Sequence, residues 1–202
     1  MFKRMSVLVR RLDHDRSTFS RLWERHAAPV SQLPKVRGYI QNHVEEDFSP
    51  ASPINADGFV ELLWDRPEDM SDAFASPAAR PMVEDEPGFL GHGSGYALRA
   101  AEPLREAMGG KLIVAALSEG AAASRAVEAA ARGMNGLTEL LHDQVVDLIA
   151  KPGMAPPQPV SDFFHLWFDD LSAARDAGRR LAESNTPRVR LGIYRVRTIR
   201  FV

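Results

Sequence analysis

Two kinds of hydrophobic periodicity alternate along the chain and divide it into predicted strands and helices. Apolar residues at every second position, or short apolar runs between turn residues, indicate strands. In the first half they do so over 5–11, 36–44, 58–64 and 95–101. Apolar residues spaced three and four positions apart predict a helix over 17–27, which Pro29 is expected to end, and a second helix is predicted to begin at Asp65. The predicted order is strand, helix, strand, strand, helix, strand.

The second half of the chain repeats this order. Strands are predicted over 112–117, 137–146, 163–168 and 189–201, and helices over 121–132 and 169–182. The clearest correspondence joins residues 59–65, Phe-Val-Glu-Leu-Leu-Trp-Asp, to residues 163–169, Phe-Phe-His-Leu-Trp-Phe-Asp. In both, an apolar strand runs into an acidic residue that can cap a helix. The chain therefore consists of two copies of one unit.

A single βαββαβ unit cannot bury all of its apolar surface. In this ferredoxin-like arrangement the helices cover one face of an antiparallel sheet and leave the other face bare. A tandem copy supplies a cover for the bare face. We predict an α+β fold of two tandem ferredoxin-like modules, at 1–105 and 110–202, whose sheets pack into a pseudo-dimeric α+β barrel within one chain. The sequence leaves a further homodimer open.

Composition narrows the function classes. The 202 residues are 45% hydrophobic and 26% charged, with a formal net charge of −2, unlike the concentrated basic surface of a nucleic-acid-binding protein. The chain has no cysteine, which excludes disulfides, thiolate nucleophiles and cysteine-ligated metals. The N-terminal apolar run is broken by Arg10 and Arg11, and no apolar run approaches the length of a membrane span. We expect a cytoplasmic protein with neither a nucleic-acid partner nor a membrane partner.

Several short motifs of the first half occur in the order found in the EthD family of the dimeric α+β barrel superfamily. They are Trp-Glu-Arg-His-Ala-Ala-Pro-Val at 23–30, Leu-Pro at 33–34, Gly-Tyr-Ile-Gln-Asn-His-Val at 38–44, Asp-Gly-Phe-Val-Glu-Leu-Leu-Trp at 57–64, Phe-Ala-Ser-Pro at 74–77 and Glu-Asp-Glu at 84–86. Residues 1–100 therefore resemble this family. In the second half, Ala-Ala-Ala-Arg at 129–132 replaces His-Ala-Ala-Pro, and His-Asp-Gln at 142–144 replaces Gln-Asn-His. A site is accordingly expected in the first module.

The resemblance implies small-molecule chemistry without a metal or organic cofactor. Relatives in the family include lactone isomerases and dehydratases or decarboxylases of aromatic metabolism. The six histidines of this chain also lack a metal-ligand spacing, such as two on one helical turn. We therefore expect a small-molecule substrate and no cofactor.

His26 is the first candidate for acid–base chemistry. It follows Phe19, Leu22 and Trp23 at helical spacing, so its ring should point from the helix towards the sheet. A histidine pKa near 6.5 suits proton transfer at neutral pH. The alternative is a core histidine bonded to a carbonyl at the helix end, and the family resemblance favours the functional interpretation.

His43 is the second candidate. Strand alternation places one residue set on each face of the strand, and the two sets are Tyr39, Gln41 and His43, and Ile40, Asn42 and Val44. We expect Ile40 and Val44 to face the helices, so that the polar set lines a cavity inside the barrel. His26 would then approach from the opposite side of the sheet, and a direct dyad with His43 would need a bulge or an open sheet edge.

A wider set of polar and aromatic residues is predicted to bind the substrate. They are Trp23, Tyr39, Gln41, Asn42, Glu61 and Trp64. The two tryptophans, together with Phe89, either form an aromatic wall of the site or belong to the core.

Glu61 lies in an apolar strand, where a carboxylate must be paired, hydrogen-bonded or hold a raised pKa. It is either a general base or a structural partner of Arg37 or Arg10. His165 is its counterpart in the second half, and the two residues can meet across the pseudo-twofold axis.

Two further patterns favour structural interpretations. Gly-His-Gly-Ser-Gly at 91–95 resembles a phosphate cradle but lacks a following helix, so it predicts a flexible loop. Arg195, Arg197 and Arg200 on the last strand predict a solvated sheet edge.

The leading hypothesis is a cofactor-independent enzyme that moves protons on a small carbonyl-bearing or aromatic metabolite, in an isomerisation, dehydration or decarboxylation. His26 or His43 would be the acid–base group, and Tyr39, Gln41 or Asn42 would polarise the carbonyl. The alternatives are a cofactor-free monooxygenase of quinol-type substrates, and a non-catalytic small-molecule-binding module or structural relic.

Overall fold

The computed structural model describes residues 1–99, 109–118 and 121–202. The strands in these ranges are β1 Phe2–Arg10, β2 Gly38–Asp47, β3 Gly58–Trp64, β4 Leu90–Arg99, β5 Gly110–Ser118, β6 Leu137–Ile149, β7 Asp162–Phe168 and β8 Val189–Arg200. The helices are α1 Arg16–Arg25, α2 Ala27–Ser31, α3 Pro67–Ala75, α4 Arg80–Asp85, α5 Ala122–Ala131 and α6 Leu171–Ala182. Each half of the chain thus has the predicted βαββαβ order, with extra short helices in the first half.

Capping explains where the principal helices begin. Asp15 accepts a hydrogen bond from the Thr18 amide at the start of α1, and Asp170 does the same from the Ala173 amide at the start of α6. The first helix ends at Arg25 rather than at Pro29, because the chain turns at His26 into α2, which accommodates the proline in its first turn. This turn places His26 between two helices.

All eight strands in the described ranges close into one antiparallel barrel. Their order around it is β1, β3, β2, β8, β5, β7, β6, β4. β2 pairs with β8 and β4 pairs with β6, and these two seams join the sheet of one half to that of the other. The predicted α+β barrel is therefore confirmed. The module limits at 105 and 110 stay a prediction, and residues 100–108 between β4 and β5 lie outside the described part.

Closure of the barrel corrects two expectations. β8 is paired on both sides, so it is not a sheet edge. Arg195 on this strand is buried and bonds to Glu45 and Glu46. The glycine-rich segment 91–95 is not a loop but the start of β4, paired with β1. A Cβ at Gly91 would lie 2.7 Å from the Arg10 carbonyl oxygen, so the close approach of the two strands requires glycine there.

Apolar clusters fill both sides of the barrel wall. One lies between the first sheet and α1 to α4 and includes Phe19, Trp23 and Tyr39. A second lies under α5 and α6. The third fills the barrel interior and includes Phe59 and Phe163. The interior of the barrel is thus a packed core, and helices cover much of its outer wall, whereas β6 leaves Val146 and Leu148 exposed.

One layer of the barrel interior is charged. It consists of Lys3, Glu61, Lys111, Asp143 and His165, which we call the interior ion cluster. Glu61 lies 2.9 Å from the ammonium groups of both lysines, and Lys3 also lies 2.5 Å from Asp143. Burial alone would raise the pKa of Glu61, but Lys111 and Lys3 hold it well below its usual range. The cluster joins the two halves of the chain.

Glu61 therefore does not pair with Arg37 or Arg10, as one interpretation of the sequence held. Arg37 bonds to Asp65, and Arg10 bonds to Asp57. His165, in contrast, lies 3.7 Å from Glu61, so the two counterparts meet inside the barrel. None of the helices in the described ranges is both long enough and apolar enough to cross a bilayer.

Candidate active site

The polar set of β2 lies on the helix side of the sheet and not inside the barrel. Tyr39 belongs to the cluster under α1, and His43 packs against Trp23 with 4.3 Å between ring centroids. Val44, on the opposite face, lies in the barrel interior. The expected orientation of this strand was wrong, because both of its faces are buried and alternation alone cannot tell them apart. His26 and His43 consequently lie on the same side of the sheet.

A cavity of about 50 Å³ lies on that side, between the first sheet and its helices. It is lined by Arg4, Ser6, Leu8, Trp23, His26, Val30, Tyr39, Val60, Leu62, Phe74, Met82, Glu86, Phe89, Leu90 and Lys151. We call it the inner cavity. A wider pocket of about 480 Å³ adjoins it and shares Arg4, Phe74, Met82, Glu86 and Lys151. The remaining lining of this outer pocket is mostly apolar and includes Met70, Ile149 and Met154.

His26 lines the inner cavity, and a hydrogen bond fixes one of its ring nitrogens. Its Nδ1 lies 2.9 Å from Oδ2 of Asp85, a carboxylate that can only accept, so Nδ1 carries the proton and Nε2 holds a lone pair. The ring is 4% exposed and packs against Phe89 at 5.0 Å. Burial lowers the pKa of His26, against the opposing effect of Asp85. At neutral pH the residue is therefore a neutral base with a fixed tautomer.

His43 is held by hydrogen bonds at both ring nitrogens. Ser20 Oγ lies 2.7 Å from Nδ1, and Gln41 Oε1 lies 2.9 Å from Nε2. Burial lowers the pKa of His43 to about 4, and the nearby Arg197 adds to this effect. His43 is therefore neutral, has no nitrogen left for a substrate, and makes no direct dyad with His26.

The bonds around His43 form a relay whose direction is fixed by Gln41, because its amide nitrogen donates to the Trp23 carbonyl at 2.8 Å and its Oε1, which can only accept, faces His43. Arg197 can only donate, and it donates to Ser20 Oγ at 3.2 Å. Ser20 then donates to Nδ1 of His43, and Nε2–H of His43 donates to Gln41 Oε1. The amide nitrogen of Gln41 donates to the Tyr39 hydroxyl at 2.6 Å. Every proton in this relay points towards Tyr39.

Tyr39 ends the relay at the wall of the inner cavity. Its oxygen accepts from Gln41, so its own O–H proton is not used in that bond. Burial raises the pKa of Tyr39, so the phenol stays protonated. The inner cavity therefore combines a neutral base, His26, with a neutral hydrogen-bond donor, Tyr39.

The other predicted binding residues divide between the two sides of the sheet. Trp23 lines the inner cavity, and Gln41 supports it through Tyr39. Asn42 and Glu61 face the barrel interior, where Asn42 bonds to Glu61 at 2.8 Å and to Lys111 at 3.0 Å. These two residues do not line the cavity.

Trp64 does not line the inner cavity. It packs against Phe74 with 5.9 Å between ring centroids, and its indole N–H donates to the Pro34 carbonyl. Phe74 and Phe89 line the inner cavity together with Trp23 and Tyr39.

Three charged residues of the cavity were not singled out in the sequence. Arg4 comes from β1, Glu86 from a 3-10 turn after α4, and Lys151 from the loop before β7. Lys151 bonds to Glu86. The sequence contained one indication of the role of Arg4. A strand whose two faces are both covered must bury the charged side chains that it carries, and Arg4 is such a side chain of β1. Lys151 belongs to the second half, which therefore contributes to the site.

Among the described residues, no three histidine, aspartate or glutamate side chains are grouped to hold a metal ion. The polar groups at the cavity are instead suited to bind and polarise an organic molecule, with Nε2 of His26 and the Tyr39 hydroxyl as the groups able to exchange or donate a proton.

The chain is similar to known proteins in two respects. Residues 11–93 match the family model of the EthD domain, so the predicted resemblance of the first half to the EthD family is confirmed. No curated protein sequence matches the chain significantly.

Solved structures match it over nearly the whole length. An anthrone oxidase-like protein superposes with a TM-score of 0.56 at 9% identity, covering 98% of this chain and 92% of its own. Two proteins named "putative monooxygenase" give scores of 0.56 and 0.52. One, from Fusobacterium nucleatum, is 7% identical and covers 99% of this chain and 96% of its own. The other, from Lactobacillus acidophilus NCFM, is 12% identical, and the match covers 98% of this chain and 93% of its own. These similarities show the fold, a dimeric α+β barrel contained in one chain.

Proposed function

We propose that this protein is an acid–base enzyme that abstracts a proton next to a carbonyl group of a small, partly apolar molecule. The observation that carries the proposal is the pairing of His26 and Tyr39 at one cavity. Asp85 fixes a proton on Nδ1 of His26 and leaves Nε2 as its basic nitrogen, and the Tyr39 hydroxyl keeps a proton that its bond from Gln41 does not use. The EthD match and the cavity support a protein that handles a small molecule.

The proposed reaction begins with the substrate carbonyl at the Tyr39 hydroxyl. The C–H bond beside the carbonyl breaks, its proton moves to Nε2 of His26, and its electron pair forms an enolate. Tyr39 donates a hydrogen bond to the enolate oxygen as negative charge develops there. Asp85 stabilises the imidazolium that forms.

The proton on Nε2 then determines the product. Its return to a different carbon completes an isomerisation. Alternatively, the enolate expels a hydroxyl group from the β carbon, which takes the proton and leaves as water. The largely apolar lining of the cavity excludes water and so strengthens both hydrogen bonds.

Exchange of hydrogen for deuterium tests the proposal without knowledge of the final product. The protein is incubated in D₂O with a panel of lactones, cyclic ketones and β-keto acids, and ¹H NMR follows loss of the signal beside the carbonyl. We expect exchange with at least one compound. Oxygen uptake without exchange would indicate the monooxygenase alternative, and binding with neither would indicate a binding module. Either result would refute the acid–base proposal.

The pH dependence of turnover should reveal the base. Burial lowers the pKa of His26 from the usual value near 6.5, and only the neutral form accepts a proton. We therefore expect kcat/KM to be level at neutral pH and to fall on the acid side with an apparent pKa below 6.5. In Asp85→Asn this acid limb should move to lower pH, because the Asp85 carboxylate holds the His26 pKa up. A rate that rises towards acid pH would contradict the assignment.

Replacing Tyr39 by phenylalanine should remove the donor to the enolate oxygen. We expect kcat to fall about 100-fold with a small change in KM, as is typical for loss of one such donor. Tyr96→Phe is the matched control, because the Tyr96 hydroxyl donates to the Gln158 carbonyl and lies outside the cavity lining. Equal kcat values for the two variants would exclude Tyr39 from the reaction.

His43 belongs to this proposal as a positioning residue. Both of its nitrogens are used within the relay, so it acts on the substrate only through Gln41 and Tyr39. A barrel interior filled by side chains, with both histidines hydrogen-bonded, favours the alternative of a non-catalytic module or structural relic, and the interior is packed in this way. What supports the catalytic proposal against it is the cavity on the helix side of the sheet, which His26 and Tyr39 both line.

A further inference from the structure

We infer that Arg4 binds an anionic carboxylate group of the substrate, so that the enzyme acts on carbonyl compounds that carry an acid group. This inference rests on the proposed function and names its substrate class. It starts from a charged side chain that lines both the inner cavity and the outer pocket.

The guanidinium of Arg4 lacks a protein partner. Its Nε is fully buried and makes no hydrogen bond, and no carboxylate of the described residues lies within ion-pair distance of it. A buried unpaired charge costs folding free energy. An anionic ligand would supply the missing counter-ion.

Neighbouring charges leave Arg4 as the uncompensated cation. Glu86 lines the same cavity, but it is bonded to Lys151. His26 is neutral at physiological pH. The cavity therefore carries a net positive charge at Arg4, which favours an anion over a neutral or cationic ligand.

The orientation of Arg4 suits a planar carboxylate. Its Cζ lies 4.5 Å from the centroid of the Phe74 ring, so one face of the guanidinium is covered by an aromatic ring. A carboxylate can accept two parallel hydrogen bonds from the N–H groups of one guanidinium. Gly95 leaves room beside it, since a Cβ there would lie 3.1 Å from Nη2.

Strand register gives the spacing between the acid group and the reacting carbonyl. Tyr39 on β2 is aligned with Leu62 on β3, and Leu62 is aligned with Arg4 on β1. Two strand spacings separate the backbones of Tyr39 and Arg4 by roughly 10 Å, and all three residues line the cavity. Since the inner cavity measures only about 50 Å³ and Arg4 also lines the outer pocket of about 480 Å³, a substrate that reaches both side chains has its carbonyl end in the inner cavity and its carboxylate and most of its apolar body towards the outer pocket.

Ligand pairs that differ only in charge test this inference. The probes are phenylacetate, 3-phenylpropanoate and 4-phenylbutanoate, each compared with its neutral amide by isothermal titration calorimetry. We expect at least one acid to bind about 10- to 100-fold more tightly than its amide. In Arg4→Met this preference should disappear, and in Arg4→Lys part of it should remain. Arg25→Met, at an exposed arginine of α1 outside the lining, is the matched control.

Several results would overturn the inference. They are equal affinity for acid and amide, an acid preference that survives in Arg4→Met, and no binding of any acid at millimolar concentration. A thermal melt separates a structural role, because Arg4→Met removes an unpaired charge and should leave Tm unchanged or raise it. His26→Ala should keep the acid preference, since binding needs no base. If the acid–base proposal is wrong, no exchange occurs in D₂O, but the preference for acids over amides is still observed. The two experiments therefore fail independently.

Discussion

Turnover should fall roughly 10²- to 10⁴-fold when His26 is replaced by alanine, the range typical for loss of a positioned general base. Nε2 is the ring nitrogen of His26 that Asp85 does not bind, and His26 lines the inner cavity. His26→Gln should show a similar loss, although glutamine can still donate to Asp85, because an amide nitrogen accepts no proton. The measurement is the initial rate of exchange or turnover on the compound from the panel that the wild-type protein uses best.

The second half of the chain offers a matched control. His142 on β6 bonds to Asp162 at 2.8 Å, as His26 bonds to Asp85 at 2.9 Å, but it stacks on Phe164 and does not line the cavity. His142→Ala should keep the wild-type rate. If His26→Ala retained full activity, or if the two variants lost activity equally, His26 would not be the base.

Removing the charge of Glu61 should lower the free energy of unfolding by about 3–5 kcal/mol, the cost typical of leaving a buried ion unpaired. In Glu61→Gln, Lys3 would keep its pairing with Asp143, whereas Lys111 would lose its ion pair with Glu61. Urea denaturation, followed by circular dichroism, measures the change in midpoint at constant slope.

Two further variants decide what the Glu61 result means. Glu84→Gln breaks an exposed bond to Arg80, whose side chain is 79% exposed, and should cost less than about 1 kcal/mol. Lys111→Met combined with Glu61→Gln restores charge balance and should recover much of the loss. A loss below about 1 kcal/mol in Glu61→Gln alone would show that the cluster does not hold the two halves together.

The sequence determined the elements and their repetition. Hydrophobic periodicity located β3 at Gly58–Trp64 without error, and each half carried one complete βαββαβ order. The motifs around His26 also identified the EthD resemblance, because short-range spacing fixes which residues share a helix face. These properties depend on neighbours a few positions apart, which a sequence displays directly.

The sequence did not show which face of β2 held the polar residues. Tyr39, Gln41 and His43 alternate correctly, but the interior face carries Asn42, itself polar and bonded to Glu61. Polarity failed as a guide because the interior ion cluster, assembled from both halves, pairs its polar groups inside the barrel. Pairings of this kind join residues more than a hundred positions apart.

The sequence predicted a single site in the first half. The tertiary structure adds residues of the second half to it. β8 brings Arg197 to the start of the relay, and the loop before β7 brings Lys151 to the cavity wall. The EthD motifs of the first half specified His26 and Tyr39. Only closure of the barrel decided that the second half would donate to Ser20 through Arg197 and pair with Glu86 through Lys151, because those contacts exist only once the two sheets meet.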